Sequence, residues 1–168
     1  MEITNITAFL SYYEKTRLIT NKVIGVIPVH KLDWAYMPGK FTIADQVRHI
    51  AAIERYVFAE IALGNRPSYK GCGKELADGY ENIISWFNEM HRQTITIFSA
   101  LTDESLKNKV RSVDGKEIEL GMFLRALIVH EIHHRAALCI YLNLLNVETP
   151  PIIGLKEEQV IQLCKSNK

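Results

Sequence analysis

His130, Glu131 and His134 stand close together in the stretch "ALIVHEIHHRAALCIYLNLLN", residues 126–146. The run His130-Glu131-Ile132-His133-His134 satisfies both H-x-x-x-H and the H-E-x-x-H of zinc proteases. On a helix, residues four apart lie almost one above the other, so His130 and His134 can offer ring nitrogens to a single cation. They share a stripe with Phe123, Leu127, Leu138, Tyr141 and Leu145 that must face an interior. Two imidazoles on such a stripe need partners, because an unsatisfied buried polar group is costly. A metal ion satisfies both at once, whereas hydrogen bonds to neighbouring side chains satisfy them one at a time.

A third donor comes from "DQVRHIAAIERY", where His49 borders the apolar face formed by Val47, Ile50, Ile53 and Val57. Bundle interiors build metal sites from side chains on facing helices. Three neutral imidazoles leave an open coordination position, the arrangement of a catalytic ion. His49, His130 and His134 are therefore the expected ligands of a divalent metal, zinc first, with nickel or another transition metal as alternatives. Glu131 is one position past His130, rotated by about 100°, and is the candidate catalytic base. Its competing reading is a charge at the bundle edge paired with Arg135 four residues on. His133 lies off the ligand face, Arg135 reads as solvated, and Cys139 reads as a small buried hydrophobe. His30 and His91 belong to no constellation.

A zincin-type protease using H-E-x-x-H is a further alternative, but its remaining requirements are poorly met. Ala137 and Ile140 occupy the positions where H-x-x-G-x-x-H would place its glycine and third ligand. Glu148, Glu157 and Glu158 are the candidate third ligands of that alternative, but they follow a Thr-Pro-Pro break or sit in a short terminal helix, and no substrate-aligning sheet is apparent.

Four long helical patterns must position these residues. The first covers about 3–27, with Ile6, Phe9, Leu10, Tyr13, Arg17, Thr20 and Ile24 on one stripe. Pro28, Pro38 and Gly39 mark the loop that follows. The second opens at Thr42, with Asp45 completing a capping box, and stops at Gly64. The third covers roughly 76–101 and the fourth 121–146. Asp114-Gly115 is a two-residue turn signal for a short β-hairpin between them. A short helix near 155–164 ends the chain. The expectation is an all-α single domain over 1–168: a four-helix bundle with a short β-hairpin between helices 3 and 4 and a short C-terminal helix.

Composition narrows the function classes. The 168 residues are 48% hydrophobic and 23% charged, ordinary for a globular domain with a sizeable core. A net charge of +1 without a basic stripe disfavours nucleic-acid binding, which draws its affinity from concentrated Lys and Arg. No apolar run is long enough to cross a bilayer, and the acidic, amphipathic start is unlike a secretory signal. Three scattered cysteines, Cys72, Cys139 and Cys164, argue for a reducing cytoplasm.

The chain resembles the DinB/YfiT-like family over essentially its whole length. The resemblance rests on the Trp34…Pro38 loop, "FTIADQVRHIAAIERY" with His49, "LTDESL" (101–106) with its hairpin, and "LIVHEIHHRAALCIYLNLLNV" ending in a proline turn. It implies a four-helix bundle, often a homodimer, holding a divalent metal through one histidine of the second helix and an H-x-x-x-H of the last long one. Those positions fall on His49, His130 and His134. It also implies metal-dependent chemistry on a small molecule, through a metal-held thiolate from a low-molecular-weight thiol or through hydroxide. The competing class is a metal-binding stress protein without catalysis. Many members carry Gly-Gln where this chain has Ala136-Ala137, so whatever the glutamine contacts in them is not carried over.

Overall fold

The computed structural model describes residues 3–151 and 154–166. Met1, Glu2, Ile152 and Ile153 of the proline break, Asn167 and Lys168 lie outside the described residues.

Helix α1 spans Ile6–Ile24. Asn5 caps it by accepting from Ala8 N at 2.8 Å, and Asp103, far along the chain, accepts from Ile6 N at 2.7 Å. Both oxygens meet the positive end of the helix, where N–H groups lack intrahelical partners. Helix α2 occupies residues 43–62 as a composite rod. Its α-helical part, Ile43–Ile53, opens on a complete Thr42/Asp45 capping box, widens into a π-helical segment at Glu54–Ala59, and closes with a last turn at Glu60–Ala62. Gly64, at φ +79°, takes the left-handed conformation that ends it. Helix α3 is Tyr80–Ser99, α4 is Leu120–Leu144, and α5 is Glu157–Ser166.

Strands β1 (Lys109–Arg111) and β2 (Glu117–Glu119) form the hairpin between α3 and α4, with Val110 opposite Ile118. The turn differs from the two-residue form suggested by Asp114-Gly115. Ser112 N donates to Lys116 O and Gly115 N donates to Ser112 O, so three residues form the loop. Gly115 supplies the positive φ, +84°, that this loop type needs at its last position.

The four long helices close into a ring in which α1 touches α4 and α3, and α2 touches α3 and α4. Pairings along their lengths fix the directions. Thr20 meets Glu131 while Gly121 lies beside Ile3, so α1 and α4 run parallel. Phe58 stacks on Phe123 while Gln46 meets His134, so α2 opposes α4. Arg55 meets Gln93 while Arg48 meets Ala77, so α3 runs with α2. Parallel neighbours cannot be joined by a tight turn; residues 63–79 must return along α2. Arg48, almost wholly buried, pins that return by donating to Cys72 O at 2.7 Å and Ala77 O at 3.0 Å.

Two apolar clusters fill the bundle. One gathers Val23, Ile24, Ile50, Phe87, Leu138 and Leu142; the other gathers Phe9, Tyr13, Phe58, Phe98, Leu124 and Leu127. Every long helix contributes first to one cluster and then to the other, and between them lies a polar layer. There Arg17 of α1 is paired with Glu54 of α2 and, at 2.9 Å, with Glu131 of α4. His91 of α3 donates from Nδ1 to Glu54 at 2.7 Å, and Arg17 lies 4.2 Å above the Phe87 ring. Burial pushes the Glu54 carboxyl up, but Arg17 and His91 outweigh it and hold the group below its ordinary range. Among the described residues, no helix is long and apolar enough to cross a membrane.

Candidate metal centre

His49, His130 and His134 converge in the seam between α2 and α4, each presenting a ring nitrogen within 4.8 Å of the other two. The i, i+4 spacing stacks His130 and His134 on one side of α4, with ring centroids 4.5 Å apart. The antiparallel course of α2 brings His49 opposite them, its ring 5.0 Å from His130 and 4.5 Å from His134.

The hydrogen bonds decide which nitrogens face the centre. His134 Nδ1 lies 2.6 Å from Gln46 Oε1. An amide oxygen only accepts, so Nδ1 carries the hydrogen and Nε2 keeps its lone pair. His49 Nδ1 lies 2.9 Å from Tyr69 Oη, a hydroxyl that can accept from an Nδ1–H, and with that tautomer the Nε2 lone pair faces the centre. His49 Nε2 and His130 Nε2 approach to 3.1 Å. Two nitrogens bound to one tetrahedral ion at about 2.0–2.1 Å each sit roughly 3.3 Å apart, so this pair already has the spacing an ion needs. His130 Nδ1 is buried without a hydrogen-bond partner. Its neutral, all-nitrogen donor set fits a borderline divalent ion such as zinc or nickel.

Electrostatics favour the same species. Burial lowers the His49 imidazole, takes His130 down to about 3 and takes His134 down to about 4, with the neighbouring histidines adding to the last two shifts. Neutral rings are the form that binds metal.

A cleft of about 960 Å³ opens from this centre, with His49, His130 and Tyr69 at one end and Ile53, Val57, Phe58 and Phe123 along its side. The hairpin closes the far wall through Ser112, Val113, Asp114 and Lys116.

Glu131 is not part of this gathering. It is fully buried on the α1 side of α4, accepting from Thr20 Oγ1 at 2.6 Å and ion-paired with Arg17. Its charge partner is thus Arg17, where the sequence suggested Arg135. Arg135 itself is buried, against the expectation of a solvated side chain, and donates to Thr16 O at 3.2 Å. His133 is exposed, its ring edge-on to His134 at 5.0 Å. Cys139 is half-buried at the edge of a core cluster, and Trp34 packs edge-on against Tyr141 at 5.4 Å.

Two contributors escaped the sequence reading. Gln46 lies three residues before His49 on the same helix, so its position on the histidine face was available from periodicity. Tyr69 comes from the return loop and left no periodic signal; Arg48 and the bond from Ser68 N to Tyr56 O hold that loop against α2. His91, with no constellation in the sequence, is the α3 member of the polar layer.

Residues 12–138 match a family model described as the DinB superfamily. Among solved structures, a DinB-like protein from Bacillus cereus ATCC 10987 superposes with a TM-score of 0.75 at 19% identity, covering 88% of this chain and 97% of its own. A DinB-like protein from Bacillus subtilis, YjoA, superposes with a TM-score of 0.66 at 18% identity, covering 86% and 96%. At such identities the likeness is one of fold. No curated protein matches the chain.

Proposed function

The chain belongs to the DinB superfamily, and from that premise we propose that it is a divalent-metal enzyme acting on a small molecule in the cleft beside His49 and His130. The observation that carries this reading is the convergence of three imidazoles from two helices, two of them oriented through Nδ1 by Gln46 and Tyr69. Three protein donors leave a position for an exchangeable group. A bound ion of this kind supplies the Lewis acidity that favours the deprotonated form of a thiol or of water near neutral pH. The reaction class is therefore transfer of a low-molecular-weight thiol, or hydrolysis.

The chain's own residues define the rest. His49, His130 and His134 hold the ion, and Gln46 and Tyr69 fix the ring orientations. Ile53, Val57, Phe58 and Phe123 shield one side of the cleft from water. Glu131 is left out of the proton traffic, because Arg17 and Thr20 already engage its carboxylate inside the bundle.

A purely structural ion is the competing reading. Against it stands the bundle itself: two apolar clusters and the polar layer join α2 to α4 with no help from the imidazoles. Elemental analysis of the protein and of His49→Ala and His134→Ala variants tests the site. The expected result is about one equivalent of transition metal, lost in both variants. Metal-depleted protein that keeps its helical circular dichroism but loses turnover of thiol acceptors or esters supports the enzyme. Equal activity with and without metal overturns it, and unfolding on metal loss makes the ion structural.

A further inference from the structure

The cleft beside the imidazoles is chemically two-sided. Its inner end carries the nitrogens of His49 and His130 and the Tyr69 hydroxyl, while the wall leading outward is built from Ile53, Val57, Phe58 and Phe123. Phe58 and Phe123 stack with centroids 4.5 Å apart, and the Phe58 ring stands 6.4 Å from that of His130. Apolar surface therefore begins within one ring's width of the metal donors. Across the cleft the hairpin contributes Ile118 and Val113, and Val113 is 69% exposed. A β-branched apolar residue so exposed at a loop tip adds nothing to the core, yet it lines this cleft.

Three polar side chains at the hairpin end engage one another or the backbone. Lys116 pairs with Asp114 at 2.6 Å, and the Ser112 hydroxyl donates to Lys116 O at 2.9 Å. The cation of this lining, Lys116, is thus already paired, and the Glu117 carboxylate beside it repels a phosphate or carboxylate. A volume of about 960 Å³ is at the upper end of the range for drug-sized ligands, with room beyond a single polar head.

We infer that the substrate is an amphipathic small molecule: a polar, metal-seeking head at His49 and His130, and an alkyl or aryl body lying along Phe58 and Phe123 beneath Val113. This rests on the metal-site reading above for the head, but the apolar body stands on the cleft alone. A uniformly polar substrate such as a sugar or a charged peptide leaves that wall wet and is disfavoured.

Calorimetry with n-alkyl hydroxamates of two to eight carbons on zinc-loaded protein tests the inference. Affinity should rise about fourfold per methylene until the cleft is filled. Val113→Asp should flatten that rise for the longer chains while leaving the metal equivalent unchanged, and its exposed position keeps the fold out of the comparison. In parallel, n-alkanols titrated into metal-free protein by ligand-observed NMR read the cleft without the ion. A chain-length dependence in both series, with hydroxamates binding no tighter to zinc-loaded than to metal-free protein, sustains the apolar body and rejects the metal site. Head-group binding with an affinity indifferent to chain length rejects the apolar body and keeps the metal site. Indifference in both series overturns the inference outright.

Discussion

His134 Nδ1 lies 2.6 Å from Oε1 of Gln46, three residues before His49 on the facing helix. One side chain of α2 therefore orients an imidazole of α4, while the next turn of α2 supplies an imidazole of its own. Removing such an outer partner lets a ligand ring rotate and lowers its basicity, costing roughly 10- to 100-fold in metal affinity. Gln46→Ala should show that loss in a competition titration against a chromophoric chelator, with its circular dichroism unchanged. Tyr69→Phe should weaken binding in the same direction by releasing His49 Nδ1. Unaltered affinity in both variants contradicts the orienting role.

The polar layer yields a second expectation. Arg17, Glu54 and Glu131 are all essentially shut off from solvent. Arg17→Met removes the cation and leaves two buried carboxylates without it, which should cost about 3–5 kcal/mol. The triple variant Arg17→Met, Glu54→Gln, Glu131→Gln removes the charges together and should be less damaging than the single change. Urea unfolding midpoints separate the two, and additive losses contradict the buried-network reading.

Much of this arrangement was legible before any coordinates. Periodicity located the four rods, and Thr42 with Asp45 marked a helix start at which both reciprocal bonds are present. Spacing alone placed His130 and His134 on one face. Arg17 and Thr20 were visible as polar interruptions of an apolar stripe, but their partners were not, because one-dimensional spacing says nothing about which rod lies beside which. The same gap hid Tyr69: only the parallel course of α2 and α3, which forces residues 63–79 back along α2, brings it to His49. The π-helical segment at Glu54–Ala59 had no signature in residue type either. Glu131 shows the opposite hazard, where a motif supplied a catalytic role and the neighbouring helix supplied an arginine.

Gly121 offers a prediction about how the chain start docks on α4. A Cβ there would stand 2.5 Å from Ile3 O and 3.4 Å from Leu106 O, both backbone atoms that cannot rotate away. Gly121→Ala should therefore destabilise the protein by about 1–3 kcal/mol, in the manner of an overpacked site. An unfolding midpoint equal to wild type contradicts this close approach.

The depressed imidazoles set the acid behaviour of the metal-free protein. Burial holds His49 below its ordinary value and takes His130 to about 3 and His134 to about 4. In the unfolded chain these rings titrate near about 6.5. Between the two values the unfolded state binds more protons than the folded one, so stability rises with pH across that interval. It is fully present above the unfolded value and drains away as pH falls toward 4. Glu54 acts in the same direction at lower pH, since its folded value is also depressed and its contribution is lost as the carboxyl protonates. Urea midpoints of metal-free protein at about pH 7.5, 6 and 5 should therefore fall in that order. His130→Phe removes the ring with the deepest depression and should make the decline shallower. A midpoint level from pH 7.5 to 5 means that the rings protonate as freely folded as unfolded, which is incompatible with three neutral imidazoles gathered in one seam.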